Sequence, residues 1–232
     1  MALQTDAALP PERAWWRQRW RIIIGGFALA AGAGVACAEL LMRTGDWAGG
    51  AAWERSLLVT VVHPLPRWMD LILYVAPWSG TNITLIPFIA VAGIWLWARA
   101  HRPHLAMRLF VVQLGSYALN PLLKAMFERP RPELFARRGW YGWSAFPSGH
   151  AICSVAVLIT VALMLHRGRG WIWPYFVLVP LALLDIYSRL YLGVHWPGDV
   201  FAGVAVGLVW LAATAFAFRE SDAAAPDQRF PH

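Results

Sequence analysis

Three short polar clusters interrupt an apolar chain, and their residue types suit phosphate chemistry. The first holds Lys124 and, six residues further on, Arg131-Pro132. The second is Pro147-Ser148-Gly149-His150, and the third joins Ser188-Arg189 to His195 and Asp199. Each lies at the end of a long apolar run, where an ionisable group is costly and is by default a functional candidate. Two histidines (His150, His195), the Asp199 carboxylate and three cations (Lys124, Arg131, Arg189) suffice to break a phosphate ester without a metal.

Lys124 offers a mobile point charge, and Arg131 a planar fork matched to phosphate oxygens. Such a pair can hold a phosphoryl group and offset charge that builds in the transition state. Ser148 suits a helix N-cap, Gly149 lets the backbone approach a ligand, and free amides at a helix start bind anions. From there His150 can protonate a leaving alkoxide. Asp199 lies four residues after His195, so one helical turn can bring its carboxylate against the imidazole. That contact fixes the tautomer and leaves the other ring nitrogen free to attack. Each cluster alone also has a plain structural explanation: snorkelling of Lys124 and Arg131, a capping turn at Ser148, a His–Asp cap. Their coincidence in charge type, spacing and sidedness favours chemistry.

Membrane-spanning helices must position these residues. Of the 232 residues 59% are hydrophobic and 14% charged, against roughly a quarter charged in a soluble domain. Apolar runs of about 20 residues, enough to cross a bilayer, recur along the chain. They predict an all-α, polytopic membrane helix bundle with six transmembrane helices, at 22–42, 81–97, 106–126, 150–165, 171–187 and 197–218. The intervening stretch 52–78 is broken by His63-Pro64-Leu65-Pro66 and fits an amphipathic segment on the membrane surface, the alternative being a seventh crossing that would disturb the topology below. Trp15, Trp16, Trp20, Trp95, Trp97, Trp140, Trp143, Trp171, Trp173 and Trp196 flank the spans as an interfacial belt.

With six spans, Arg13, Arg17, Arg19, Arg21, Arg99, Arg102, Arg167, Arg169 and Arg219 fall on one side, the cytoplasmic one by the positive-inside rule. Residues 1–21 and 219–232 are then cytoplasmic tails around a domain at 22–218. Lys124, Arg129, Arg131, Arg137, Arg138 and Arg189 fall on the other side against the bias, and phosphate binding supplies a reason. Ala36-Cys37-Ala38 after a basic flank also resembles a cleavable secretory signal. The apolar run continuing to Met42 favours an uncleaved span. The net charge of +7 forms no continuous stripe, which argues against a nucleic-acid partner. Cys37 and Cys153 sit inside apolar runs and are expected to be small buried hydrophobes, without disulfide or zinc. Gly203-x3-Gly207 permits close helix packing, within the bundle in preference to a dimer contact, and Asp185 either faces the site or pairs with Arg189, the pairing being favoured.

Lys124-x6-Arg131-Pro132, Pro147-Ser148-Gly149-His150 and Ser188-Arg189-x5-His195-x3-Asp199 together resemble the three-part signature of the type 2 phosphatidic acid phosphatase family, which also includes glucose-6-phosphatase and the vanadium haloperoxidases. The resemblance implies that His195 is the nucleophile of a phosphohistidine intermediate and that Asp199 orients it. It implies that His150 protonates the leaving oxygen and then helps activate water. Lys124, Arg131, Arg189, Ser148 and the Gly149 amide would hold the phosphoryl oxygens. No metal or other cofactor is implied, and the site would face the extracytoplasmic side. The expected activity is hydrolysis of a terminal phosphate or pyrophosphate of a lipid in a bacterial inner membrane. Undecaprenyl pyrophosphate, phosphatidylglycerophosphate, phosphatidate and lipid A phosphate are the candidate substrates. Phosphoryl transfer to a lipid acceptor is one rival expectation, and phospholipid binding or transport without turnover is another. Intact His150, His195 and Asp199 argue against the last.

Overall fold

The structure is a computed structural model that describes residues 11–139 and 141–219, with side chains from Gln18 onward. Every regular element among them is helical. In chain order these are α1 Pro11–Thr44, α2 Ala52–Val61, α3 Arg67–Val75, a 3-10 turn Ala76–Gly80, α4 Asn82–Ala98 and α5 Pro103–Phe127. Then come α6 Gly149–Cys153, a π turn Ser154–Leu158, α7 Ile159–Arg169, α8 Trp173–Tyr191 and α9 Pro197–Ala217. The π turn joins α6 and α7 into one rod, Gly149–Arg169.

A helix therefore occupies each of the six apolar segments. Gln18–Thr44, Gly149–Arg169 and Pro197–Ala217 are long and apolar enough to cross a membrane alone. A fourth joins them if Arg67–Gly80 and Asn82–Ala98, bent by 52°, count as one broken span. Proline in the first turn starts α5, α8 and α9, where its missing N–H removes no intrahelical bond. Glu128 and Gly170, both left-handed, end α5 and α7. Helix α1 begins at Pro11, inside the segment expected to be a tail, while 1–10, 220–232 and Trp140 lie outside the described residues.

Helix α1 packs along α9, α4 along α5, and α6 against both α5 and α9. Gly203 and Gly207 make the last contact possible. A Cβ at Gly203 would sit 2.6 Å from the Ser148 carbonyl oxygen, and one at Gly207 3.0 Å from that of Ile152. The pair thus works inside the bundle, as its spacing predicts. Trp210 fills the centre beside Leu119, Ile152, Val157 and Val206, and donates from Nε1 to the Val112 carbonyl at 3.0 Å. Cys37 is half-buried, Cys153 is buried, and both are free thiols.

Three local expectations change. Trp196 is buried rather than interfacial, with Nε1 donating to the Pro130 carbonyl at 3.0 Å. The stretch 52–78 does break at its prolines and exposes Trp53, Trp68, Leu71, Tyr74 and Trp78. It also buries Glu54, Leu58 and Leu73 against the bundle, so it is not purely a surface segment. Asp185 makes its hydrogen bond with Ser154 of the π turn and meets Arg189 only through space, without a hydrogen bond.

The two ends of the bundle differ in charge placement. At one end the Arg19 guanidinium lies 5.3 Å above the Phe218 ring. There too, Arg102 and Arg169 join Trp95 and Trp171 in lining a groove of about 660 Å³. The helices that begin or end there bring Lys124, Ser148 and Asp199 to the other end.

Candidate active site

Four helix ends and two loops converge at that second end. Lys124 comes from the last turn of α5, and Arg131 from the loop after it. Ser148 stands at the N-cap of α6, His150 follows inside it, and Arg189 sits in the last turn of α8. His195 precedes α9, and Asp199 occupies its first turn. The loops are tied directly: Ser148 N–H donates to the Asp199 carbonyl at 2.9 Å, and Ala145 N–H to that of Arg129 at 2.8 Å. Lys124 Nζ donates to the Ser144 carbonyl at 2.5 Å.

Arg131 organises the centre. It is buried, and its guanidinium donates to the carbonyls of Gly142 at 2.7 Å, Ser144 at 3.0 Å and Val194. Its Nη1 also lies 3.2 Å from His195 Nε2. A guanidinium can only donate, so Nε2 must accept and the ring proton resides on Nδ1. Nδ1 faces Asp199 Oδ2 at 3.6 Å, a through-space pairing longer than a hydrogen bond. Burial first, then the charges of Arg131, Lys124, Arg189 and His150, hold the His195 pKa well below its ordinary value, so the ring is neutral at pH 7. This is an imidazole with its lone pair at Nε2, the form a nucleophile needs.

The same end of the bundle holds groups with unspent polar capacity. The Ser148 hydroxyl is buried and has no partner in the protein. Its position at the N-cap was expected, but it makes no cap hydrogen bond. Arg189 Nε is likewise buried without a partner. His150 lies within electrostatic reach of Arg189, Arg131 and Lys124. At Gly149 a Cβ would sit 2.7 Å from the Asn120 carboxamide, so only glycine lets α6 start this close to α5. The structure thus brings together all eight residues singled out from the sequence: Lys124, Arg131, Ser148, Gly149, His150, Arg189, His195 and Asp199.

Two further residues belong to this cluster. Arg129 donates to Asp199 Oδ1 at 2.8 Å, to Glu54 at 2.6 and 3.1 Å, and to the Trp47 carbonyl at 2.9 Å. Glu54, from α2, is as deeply buried as Arg129. The available signal was a lone carboxylate in the apolar stretch 52–62, and it was too weak to assign a partner. Arg137 and Arg138, grouped with the site cations by sidedness, instead form surface pairs with Glu133 at 3.5 Å and Asp70 at 2.7 Å.

The PAP2 superfamily profile matches residues 105–222, just over half of the 232 and every motif residue above. The chain belongs to the PAP2 superfamily. As a PAP2 protein it is an enzyme of the phosphatase kind. The putative undecaprenyl-diphosphatase YbjG of Escherichia coli strain K12 is 28% identical over 163 residues, 66% of this chain and 75% of that one. Phosphatidylglycerophosphatase B of Bacillus subtilis strain 168 is 28% identical over 149 residues, 61% of this chain and 71% of that one. Among solved structures, the transmembrane PAP2 type phosphatidylglycerolphosphate phosphatase from Bacillus subtilis superposes with a TM-score of 0.67 at 22% identity. The match covers 85% of this PAP2 chain and 96% of that one, a likeness of fold.

Proposed function

We propose that this protein is a metal-independent phosphatase of a membrane lipid phosphate or pyrophosphate, working through a phosphohistidine on His195. The observation that carries the reading is the Arg131–His195 contact: a donor on Nε2 requires the proton on Nδ1, toward Asp199. Lys124, Arg131, Arg189, the Ser148 hydroxyl and the Gly149 amide hold the phosphoryl oxygens. His195 Nε2 attacks phosphorus, the bond from phosphorus to the lipid oxygen breaks, and His150 gives that oxygen a proton. The ring becomes a cation, which Asp199 stabilises. His150 then takes a proton from water, the oxygen attacks phosphorus, the phosphorus–nitrogen bond breaks and phosphate leaves.

The chain crosses a bacterial inner membrane six times in this reading, with both termini in the cytoplasm and the site outside. Six helical segments and arginines gathered at the end opposite the site support that topology. A substrate whose tail stays in the bilayer fits a site at the helix ends. Undecaprenyl pyrophosphate and phosphatidylglycerophosphate head the candidates, because the relatives are named for those lipids.

The test is phosphate release by detergent-purified protein across a panel of lipid phosphates, beside His195→Ala. Hydrolysis of one or more lipids, insensitive to chelators, blocked by vanadate and abolished in His195→Ala, is the expected result. Full activity in His195→Ala, or loss of activity on chelation, refutes it. Phosphorylated acceptor lipid with little free phosphate points to a phosphotransferase instead.

A further inference from the structure

Behind the imidazole runs a buried chain of charges. Asp199 spends Oδ2 on the Trp196 N–H at 2.8 Å and Oδ1 on Arg129 at 2.8 Å. Arg129 is stacked 4.7 Å from the Trp47 ring, and Glu54 grips its other edge with both oxygens. The same two oxygens accept the backbone N–H of Gly198 at 3.0 Å and of Ala51 at 2.9 Å. All three charged side chains are at most 1% exposed. The bonds join residues 75 and 70 positions apart, so they are tertiary and not local capping.

The charges decide what this chain does. Arg129 paired with Asp199 alone would neutralise the carboxylate that must face the ring. With Glu54 present, two carboxylates share one guanidinium, and the buried group carries one net negative charge. We propose that Glu54 is a positioning residue for catalysis: by occupying Arg129, it leaves the charge of Asp199 available to the His195 imidazolium. The proposal rests on the phosphohistidine reading above. Once Nε2 is phosphorylated and Nδ1 keeps its proton, the ring is cationic and needs that charge most. Substrate capture by Lys124, Arg131, Arg189 and Ser148 does not involve Glu54, which makes no bond to any of them.

The test compares full-length wild type, Glu54→Gln, Glu54→Asp and His195→Ala on one lipid phosphate. It reads kcat, KM, the pH profile of kcat/KM and the melting temperature. Glu54→Gln keeps size and shape but removes the charge. It is expected to lower kcat about 10–100-fold, the usual cost of removing an outer partner that orients a reacting group. KM should stay within about threefold. The acidic limb should move to lower pH, because less negative charge then acts on an imidazole faced by Asp199, Lys124, Arg131, Arg189 and His150. Glu54→Asp keeps the charge, and its limb stays in place.

A glutamate that only ties α2 to α9 behaves differently. Glu54→Gln would then melt earlier, with unchanged kcat per folded molecule and an unmoved limb, and that result overturns the proposal. If Glu54→Gln does not fold, Glu54→Ser takes its place as the variant without the charge: a limb moved to lower pH supports the role, and an unmoved limb with unchanged kcat per folded molecule overturns it. Activity in His195→Ala brings down the phosphohistidine reading itself. An inactive His195→Ala beside a normal Glu54→Gln overturns the role of Glu54 alone.

Discussion

Asp199→Asn isolates the carboxylate's part in catalysis. Asp199 accepts on both oxygens, from Arg129 Nη1 and from the Trp196 N–H, each at 2.8 Å. An asparagine has one oxygen and one donating NH₂. With the oxygen toward Arg129, the NH₂ confronts the Trp196 N–H and offers a proton to His195 Nδ1, 3.6 Å from the original Oδ2. That arrangement moves the ring proton to Nε2, where the Arg131 donor already stands at 3.2 Å. Turning the amide over puts NH₂ against the Arg129 cation. Both orientations oppose donors, and neither supplies a charge to the imidazolium. At 3.6 Å, with an effective dielectric of about 20, that charge is worth roughly 4–5 kcal/mol to a cationic ring. The expected loss is therefore about three orders of magnitude in kcat. The assay is steady-state phosphate release from a lipid phosphate in detergent micelles, with KM expected within a few-fold of wild type. A kcat within tenfold of wild type, in protein with an unchanged melting temperature, refutes the assignment of Asp199.

Ser148→Ala removes a buried hydroxyl with no protein partner, so its melting temperature should match wild type. Its kcat/KM should fall about 10–100-fold, the loss of one hydrogen bond to a charged oxygen; kinetics and thermal unfolding read both. Gly203→Ala places a Cβ 2.6 Å from the Ser148 carbonyl, and should cost about 1–3 kcal/mol in thermal unfolding. Gly207→Ala, at 3.0 Å from Ile152 O, should cost less. The pH profile tests the neutral imidazole. His195 must be unprotonated to attack, and its pKa is held below its ordinary value, so kcat/KM should persist as pH falls through about 6.5 and drop only below it. An acidic limb at or above that pH counts against His195 as the free base.

Helix positions were legible because apolar runs and first-turn prolines act locally. The Gly203–Gly207 spacing similarly announced a close helix contact, and the Cβ distances show which neighbour it serves. The site residues were legible as three clusters because each is contained within a dozen residues at a helix end. Less readable was how those residues spend their hydrogen bonds. Ser148 occupies the cap position without capping, and Asp185 bonds to Ser154 instead of the arginine one turn away. Trp196 turned inward because its indole N–H finds the Pro130 carbonyl, a partner from another motif.

Residue order alone determined that this protein is an apolar helical bundle, with cationic, imidazole and carboxylate side chains gathered at helix ends. Those properties follow from hydropathy, from spacing over one helical turn and from the cost of charge near hydrocarbon. Only the tertiary structure decided that Arg131 sets the tautomer of His195, and that Glu54 and Arg129 stand behind Asp199. Spacing along a helix constrains neighbours three or four residues apart. Contacts between residues 64 to 75 positions apart depend on how whole helices pack, and here glycines at the α6–α9 and α5–α6 contacts allow that packing.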